Sequence, residues 1–452
     1  MILHDIFHDR RFNRKLLALT LPITLQQLML ALVAAADALM LGRLDQYSMA
    51  AVSLATQVQF IQNMFLAAIA WGVGVLGAQY WGKNDKKVLD ELFGLSIRES
   101  LLISLPFFAG CFFFPEKLMR IFAEDPRLIQ LGAGYLRVAS WSYLITGISQ
   151  CYLAVMRISE QQRMSAWISS GAVVLNIIFN AVFIYGLAGC PAMGIAGAAV
   201  ATIIARVVEL FWCILISFKA GFFQLKLRML FHIKWLLELD FWKCCLPITG
   251  SFMIWGVGFT SYTAIMGQLG ADAAAANAVA AVVRDLLCCV CNGIAGACSI
   301  IIGNELGAGN LELGKKYGDR LVVISFIIGI STTVIILALT PLLTSLLPLT
   351  AQAKEYMTGM LIIMAFYMIG RCVCTVTING VFYSGGDAIF DVVSLTVCMW
   401  GIALPCAFSG AFYFHWPVLV IYACTCLDEI GKIPWVLIHH RSYKWVRNLT
   451  RD

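Results

Sequence analysis

Leu21-Pro22-Ile23-Thr24 recurs as Leu246-Pro247-Ile248-Thr249, 225 residues further along a chain of 452. The same shift carries Gly42 and Leu44 onto Gly267 and Leu269. It carries Ala50, Ala51 and Ala55 onto Ala275, Ala276 and Ala280, Ile69 and Ala70 onto Ile294 and Ala295, and Gly82 onto Gly307. No gap is needed between Leu21–Asp85 and Leu246–Asn310. The shift is half the chain length, so the chain reads as two copies of one design, and an internal repeat constrains the fold before any local signal does. One mismatch stands out. Asp37, in an apolar run, falls on Tyr262.

The apolar runs say where such a repeat resides. Hydrophobic residues make up 60% of the chain and charged residues 13%, against about 25% charged in soluble domains. The mean hydropathy is +0.83. Polar residues cluster between apolar runs of roughly 20 residues, the length of a bilayer-spanning helix. The runs are too long and too uniformly apolar for the alternating strands of a barrel. The expected fold is therefore an all-α integral membrane protein with twelve transmembrane helices. Their bounds are near 16–42, 50–80, 90–114, 130–156, 164–187, 194–218, 245–268, 273–305, 321–347, 355–380, 389–411 and 416–438. The apolar segment from Leu16 is too long for a cleavable signal and has no small-residue cleavage pattern. Most of the sixteen cysteines lie inside apolar runs and none has zinc-site spacing, so they read as small packing residues.

Basic residues set the orientation. With the N-terminus inside, 21 of the 32 Lys and Arg fall on inner segments and five on outer loops. Both termini are then cytoplasmic, in a multi-pass protein of the cell membrane. This distribution follows topology and excludes a nucleic-acid partner as the meaning of the +6 net charge. Six spans per half make the repeat parallel, two pseudo-symmetric bundles about an axis along the membrane normal. The domain reading is an N-terminal lobe over 1–218, a linker over 219–244 and a C-terminal lobe over 245–452. Phe222, Phe223, Leu230, Phe231 and Trp235 mark the linker as an interfacial helix.

Several short motifs, in order, carry a family resemblance. They are Asp37 with Gly42-Arg43-Leu44, the run Gly194-Ile195-Ala196-Gly197-Ala198-Ala199-Val200-Ala201-Thr202, Gly385-Gly386-Asp387, Trp400 with Pro405, and Arg441-Ser442-Tyr443-Lys444-Trp445. With the repeat and the twelve spans, the chain resembles the multidrug and toxic compound extrusion (MATE) transporters over nearly its whole length. The resemblance implies two six-helix bundles around a V-shaped cleft. It implies export of organic, often cationic, compounds in exchange for H⁺ or Na⁺.

Asp37 leads the candidate residues. A charge within a span costs roughly 2.5–3.5 kcal/mol on insertion scales, so its presence points to function. Burial disfavours the charged carboxylate, which would let Asp37 load a proton, or hold Na⁺ once ionised. The alternative is a carboxylate at the outer rim, since Gly42 closes the span five residues later. Asn176 and Asn180, one helical turn apart, share a face of the fifth span, and Thr202 lies about as deep in the sixth. At 1.5 Å per residue the four groups fall within roughly 10 Å in depth. They offer one carboxylate and three neutral oxygens, a set suited to H⁺ or one hard cation. MATE relatives of the DinF-like kind resemble this N-lobe pattern, with an Asp on the first helix, an Asn and an acid on the fifth, and a Thr on the sixth. Asp37, Asn176 and Thr202 match, whereas Asn180 stands where the acid would be. No metal is implied beyond Na⁺ at Asp37.

The second half has no acid across Pro247–Gly267. Arg371 near the middle of the tenth span, and Arg284 with Asp285 in the eighth, read either as an internal ion pair, with Arg371 or Arg284 the partner of Asp285, or as contact with substrate. Met253 and Trp255 are further cleft candidates. Arg206 with Glu209, and Asp428 with Lys432, have spacings that allow pairing on one helix face. Pro22 removes a backbone bond and permits a bend in the first span, although Pro247 repeats the feature.

The functional expectation is a secondary antiporter, acting as a monomer in the bilayer on a small organic substrate, with no cofactor beyond H⁺ or Na⁺. The alternative is a flippase of lipid-linked oligosaccharide or polysaccharide from the same superfamily, which would need a more cationic cavity. An intramembrane enzyme is not expected, since all six histidines lie at ends or loops and intramembrane acids are sparse.

Overall fold

The computed structural model describes residues 9–159, 161–187, 189–220, 230, 233–346 and 349–451. Among them every regular element is a helix. The first half comprises α1 (Arg10–Gly42), α2 (Gln46–Gly82), α3 (Lys86–Phe113), the short α4 (Pro115–Phe122), α5 (Pro126–Ile158), α6 (Gln162–Tyr185) and α7 (Ile195–Ala220). The second half comprises α8 (Trp235–Gln268), α9 (Ala271–Gly307), α10 (Leu311–Leu346), α11 (Ala351–Cys374) with a π-helical continuation over Thr375–Phe382, and α12 (Ile389–Leu395). A second π-helical stretch, Thr396–Ala403, leads into α13 (Leu404–Phe412). The chain closes with α14 (Val418–Thr425), α15 (Leu427–Ile430) and α16 (Ile433–Arg441).

Ten of the twelve expected spans are long and apolar enough to cross a bilayer by length and composition. The fourth is α5, a 33-residue helix that carries Arg127, Arg137 and Arg157. The twelfth is broken into α14, α15 and α16, and its chemistry explains the breaks. Gly431 separates the last two pieces, and Pro434 in the first turn of α16 lacks the N–H that an unbroken helix would need. Similarly, the π-helical stretch of the eleventh span runs up to Pro405, where a proline interrupts the backbone ladder. The described part of the expected linker is short. Trp235 and Lys243 lie within α8, because the helix runs past the apolar stretch into the polar interval. Phe222, Phe223 and Phe231 are outside the described residues.

The chain resolves into two compact units that are not its two halves. One consists of the described residues of Met1–Thr24 with Ala78–Asn84 and Leu246–Asp452, and the other of Leu25–Gly77 with Asp85–Cys245. Two helices change unit beside an internal proline, α1 after Thr24 and α8 after Cys245, and α2 changes unit after Gly77. Helices α1 and α8 run continuously through Pro22 and Pro247.

The repeat's glycines have a packing role in the first unit. A Cβ on Gly82 would lie 2.0 Å from the carbonyl oxygen of Asn304, and one on Gly307 would lie 1.9 Å from that of Gln79. Gln79 and Asn304 are themselves repeat mates, so the crossing of the α2 end with the α9 end is symmetric. Lipid is as apolar as a leucine side chain, so helices in membranes associate by close packing, which small residues allow. Apolar packing fills the remainder. Met357, Met360, Met364 and Met368 form a buried helical stripe on α11. The sixteen cysteines are free thiols, all buried except the half-buried Cys190, Cys406 and Cys424.

Candidate functional site

Asp37, Asn176, Asn180 and Thr202 come together in the unit formed by Leu25–Gly77 and Asp85–Cys245. Asp37 is half-buried near the end of α1, and Asn176 and Asn180 are buried on one face of α6. The amide of Asn180 donates to Asp37 Oδ1 at 2.5 Å and to Asn176 Oδ1 at 3.2 Å. The amide of Asn176 donates to Thr202 Oγ1 at 3.3 Å. The Thr202 hydroxyl in turn donates to the Ala198 carbonyl, one turn back on α7, at 3.0 Å. Four side chains on three helices thus form a single hydrogen-bonded chain. It leaves one buried acceptor unsatisfied, Asn180 Oδ1.

Local structure explains the convergence. The Tyr185 hydroxyl at the end of α6 donates to the Met40 carbonyl at 2.8 Å, which ties α6 to α1 just past Asp37. Gly197 allows α7 to start close against the end of α6, since a Cβ there would lie 2.6 Å from the Phe183 carbonyl oxygen. Leu41, Tyr135, Tyr143 and Ala199 pack one apolar core around this end of the unit. Deeper on α7, Arg206 bonds Glu209 at 2.8 Å, and Ser149 of α5 donates to the same carboxylate at 3.0 Å. Glu209 is fully buried.

In the other unit a cavity of about 240 Å³ gathers Trp255, Arg284, Asp285, Arg371 and Asp428, with Tyr262 among its aromatic lining. Met253, half-buried on the same helix as Trp255, is not part of that lining. Arg284 pairs with its neighbour Asp285 at 2.8 Å, and its guanidinium lies 4.4 Å from the Phe259 ring centre. Arg371 does not reach Asp285. Its partner is Glu429, at 2.6 Å. Lys432 forms its ion pair with Glu429, at 3.2 Å, rather than with Asp428. Helix α15 ends at Ile430, so the regular i,i+4 geometry that would join Asp428 to Lys432 is lost. Sequence reasoning missed Glu429, which ties Arg371 of α11 to α15. A charged group as deep as Arg371 requires a partner, and Glu429 was the acid available on another span.

The comparisons fit this architecture. The MatE family model matches the chain twice, over residues 22–182 and 247–409, and the second match starts 225 residues after the first. The chain belongs to the MatE family. Members of that family are transporters, not enzymes. Among its relatives is the protein named "Uncharacterized transporter YisQ" of Bacillus subtilis, 25% identical over 97% of this chain and 96% of that protein. Another is a "Probable multidrug resistance protein NorM" of Thermotoga maritima, 24% identical over 97% of this chain and 95% of its own length. A solved outward-facing multidrug resistance MATE family transporter of the MOP superfamily superposes with TM-score 0.86 at 19% identity, covering 95% of this chain and 96% of its own. A MOP superfamily transporter from Pyrococcus furiosus superposes with TM-score 0.85 at 18% identity, over 95% and 96%. At such identities the structural likeness speaks to the fold: two lobes and twelve transmembrane helices.

Proposed function

We propose that this MatE chain is an antiporter that exports small organic compounds, often cationic, in exchange for H⁺ or Na⁺ loaded at Asp37. The observation that carries the reading is the hydrogen-bonded chain from Thr202 to Asp37, with Asn180 Oδ1 left without a donor beside the carboxylate. A proton would occupy the carboxylate, and Na⁺ would draw on Asp37, Asn180 and their neighbouring oxygens. The loaded ion favours one arrangement of the transporter and the organic substrate the other; exchange requires only that reciprocal coupling. The membrane potential supplies about 2.3 kcal/mol per charge per 100 mV. The NorM names of the relatives support the drug-export direction. The protein acts as a monomer in the cell membrane, with both termini on the cytoplasmic side.

The flippase reading is less well supported. It calls for a cationic cavity, whereas Arg284 and Arg371 are each matched by an acid. Ethidium accumulation and lipid-linked oligosaccharide transfer, measured in parallel in cells expressing the chain, separate the two. The antiporter reading expects lower ethidium and unchanged oligosaccharide transfer. The opposite pattern overturns it.

A further inference from the structure

The cavity of the C-terminal unit has no part in ion loading at Asp37, and its chemistry is specific. Its volume of about 240 Å³ lies below the roughly 300–1,000 Å³ of sites for drug-sized ligands, so its ligand is small. Arg371 lies over Trp255, 5.8 Å from the ring centre, and Arg284 lies over Phe259. Trp255 and Phe259 stack with centres 5.4 Å apart. One wall is thus two aromatic faces carrying two guanidinium groups.

The opposite polarity comes from Asp428. It lines the cavity and is 3% exposed, and its Oδ1 has no hydrogen-bond partner. No ion pair among the described residues includes it. Glu429 takes both Arg371 and Lys432. Tyr262, at the repeat position of Asp37, lines the same cavity, and its buried hydroxyl is also without a partner. Two buried oxygens without donors are costly unless a ligand supplies the hydrogens. Charge balance narrows the ligand further. The lining holds two guanidinium groups and two carboxylates, Asp285 and Asp428. A ligand with net charge would leave one charge of the lining unmatched, whereas a ligand carrying both signs would not.

We infer that this cavity binds a small single-ring zwitterion, its ammonium group received by Asp428 and Tyr262 and its carboxylate by the guanidinium groups of Arg284 and Arg371. Each guanidinium has five N–H groups. Arg371 directs Nη1 at Glu429, and Arg284 directs Nε and Nη2 at Asp285. The inference rests on the exporter reading only in taking the ligand as cargo. Binding itself requires no gradient.

The test is calorimetric titration of the purified full chain in detergent, without any ion gradient, with L-phenylalanine, phenethylamine and 3-phenylpropionate. These are one scaffold with both charges, the positive charge alone and the negative charge alone. L-Phenylalanine is expected to bind at least ten-fold more tightly than either of the others. Asp428→Asn is expected to weaken L-phenylalanine and phenethylamine at least ten-fold and to leave 3-phenylpropionate unchanged or tighter. Equal binding of the three probes, tightest binding of phenethylamine, or no binding at all overturns the inference. So does an Asp428→Asn variant that binds L-phenylalanine as the wild type does. If Asp428→Asn does not fold, the wild-type ranking decides by itself. If ethidium export fails while the ranking holds, the exporter reading falls and the cavity assignment stands.

Discussion

At the scale of the residue, direction of donation matters as much as proximity. Asn180 spends its amide hydrogens on Asp37 and Asn176. Its oxygen and the Asp37 carboxylate are therefore the acceptors that an ion would meet. Asn180→Leu keeps similar bulk but removes the donor, and it should lower ion-driven ethidium efflux at least ten-fold while the protein stays folded. Initial efflux rates and a thermal unfolding scan check both parts. The acids of the twelfth span allow a sharper comparison. Removing one partner of a buried ion pair costs roughly 3–5 kcal/mol. Glu429→Gln strips Arg371 and Lys432 of their shared partner and should destabilise the protein by about that much. Asp428→Asn removes a carboxylate that belongs to no ion pair among the described residues and should leave unfolding unchanged or raise its midpoint. Asp37 was legible in the sequence because a charge interrupts an apolar run. The partner of Arg371 was not, since Asp428 and Glu429 are adjacent and only the short α15 decides which one faces it.

At the scale of the element, two devices fix helix ends in the unit containing Leu246–Asp452. Asp9 caps α1, accepting from the Phe12 N–H at 3.1 Å, and Arg320 of α10 bonds the same carboxylate at 2.6 Å. The Arg320 hydrogen bond foremost, then that of Phe12, holds the Asp9 carboxyl below its ordinary 3.8, against a smaller opposing effect of burial. A depressed carboxyl contributes stability that is fully present above its unfolded value and is lost as pH falls through the lower folded value. Acidification below about pH 4 should therefore lower the unfolding midpoint, and Asp9→Asn should reduce that acid-induced drop. The second device is the crossing of Gly82 and Gly307, where the opposing atoms are backbone carbonyls that cannot rotate aside. Overpacking typically costs 1–3 kcal/mol. Gly307→Val should cost at least about that much, seen as loss of monodisperse protein in size-exclusion chromatography. Sequence reading found these glycines as repeat mates, but only the packing gives them a reason. The π-helical stretch Thr375–Phe382 had no sequence signal, because its composition is that of an ordinary apolar helix.

At the scale of the whole molecule, the repeat decides the fold, and the charged mismatch at Asp37 decides where chemistry is sought first. The number of spans and the all-helical class were legible because a bilayer dictates both length and hydrogen-bond closure. The compact units were not, since α1 and α8 each change unit beside a proline that sequence alone presents only as a bend. The charge pattern makes a topological prediction. Green fluorescent protein fused after Asp452 should fluoresce, and alkaline phosphatase at the same point should be inactive; an active phosphatase would reverse the orientation. In the proposed mechanism, ion loading at Asp37 drives export. Its most direct measurement is ethidium movement in proteoliposomes under an imposed H⁺ or Na⁺ gradient, with wild type and Asp37→Asn side by side. Uphill ethidium transport by the wild type is expected under at least one gradient, and only downhill leakage by Asp37→Asn under both. Uphill transport by Asp37→Asn at the wild-type rate would contradict the mechanism.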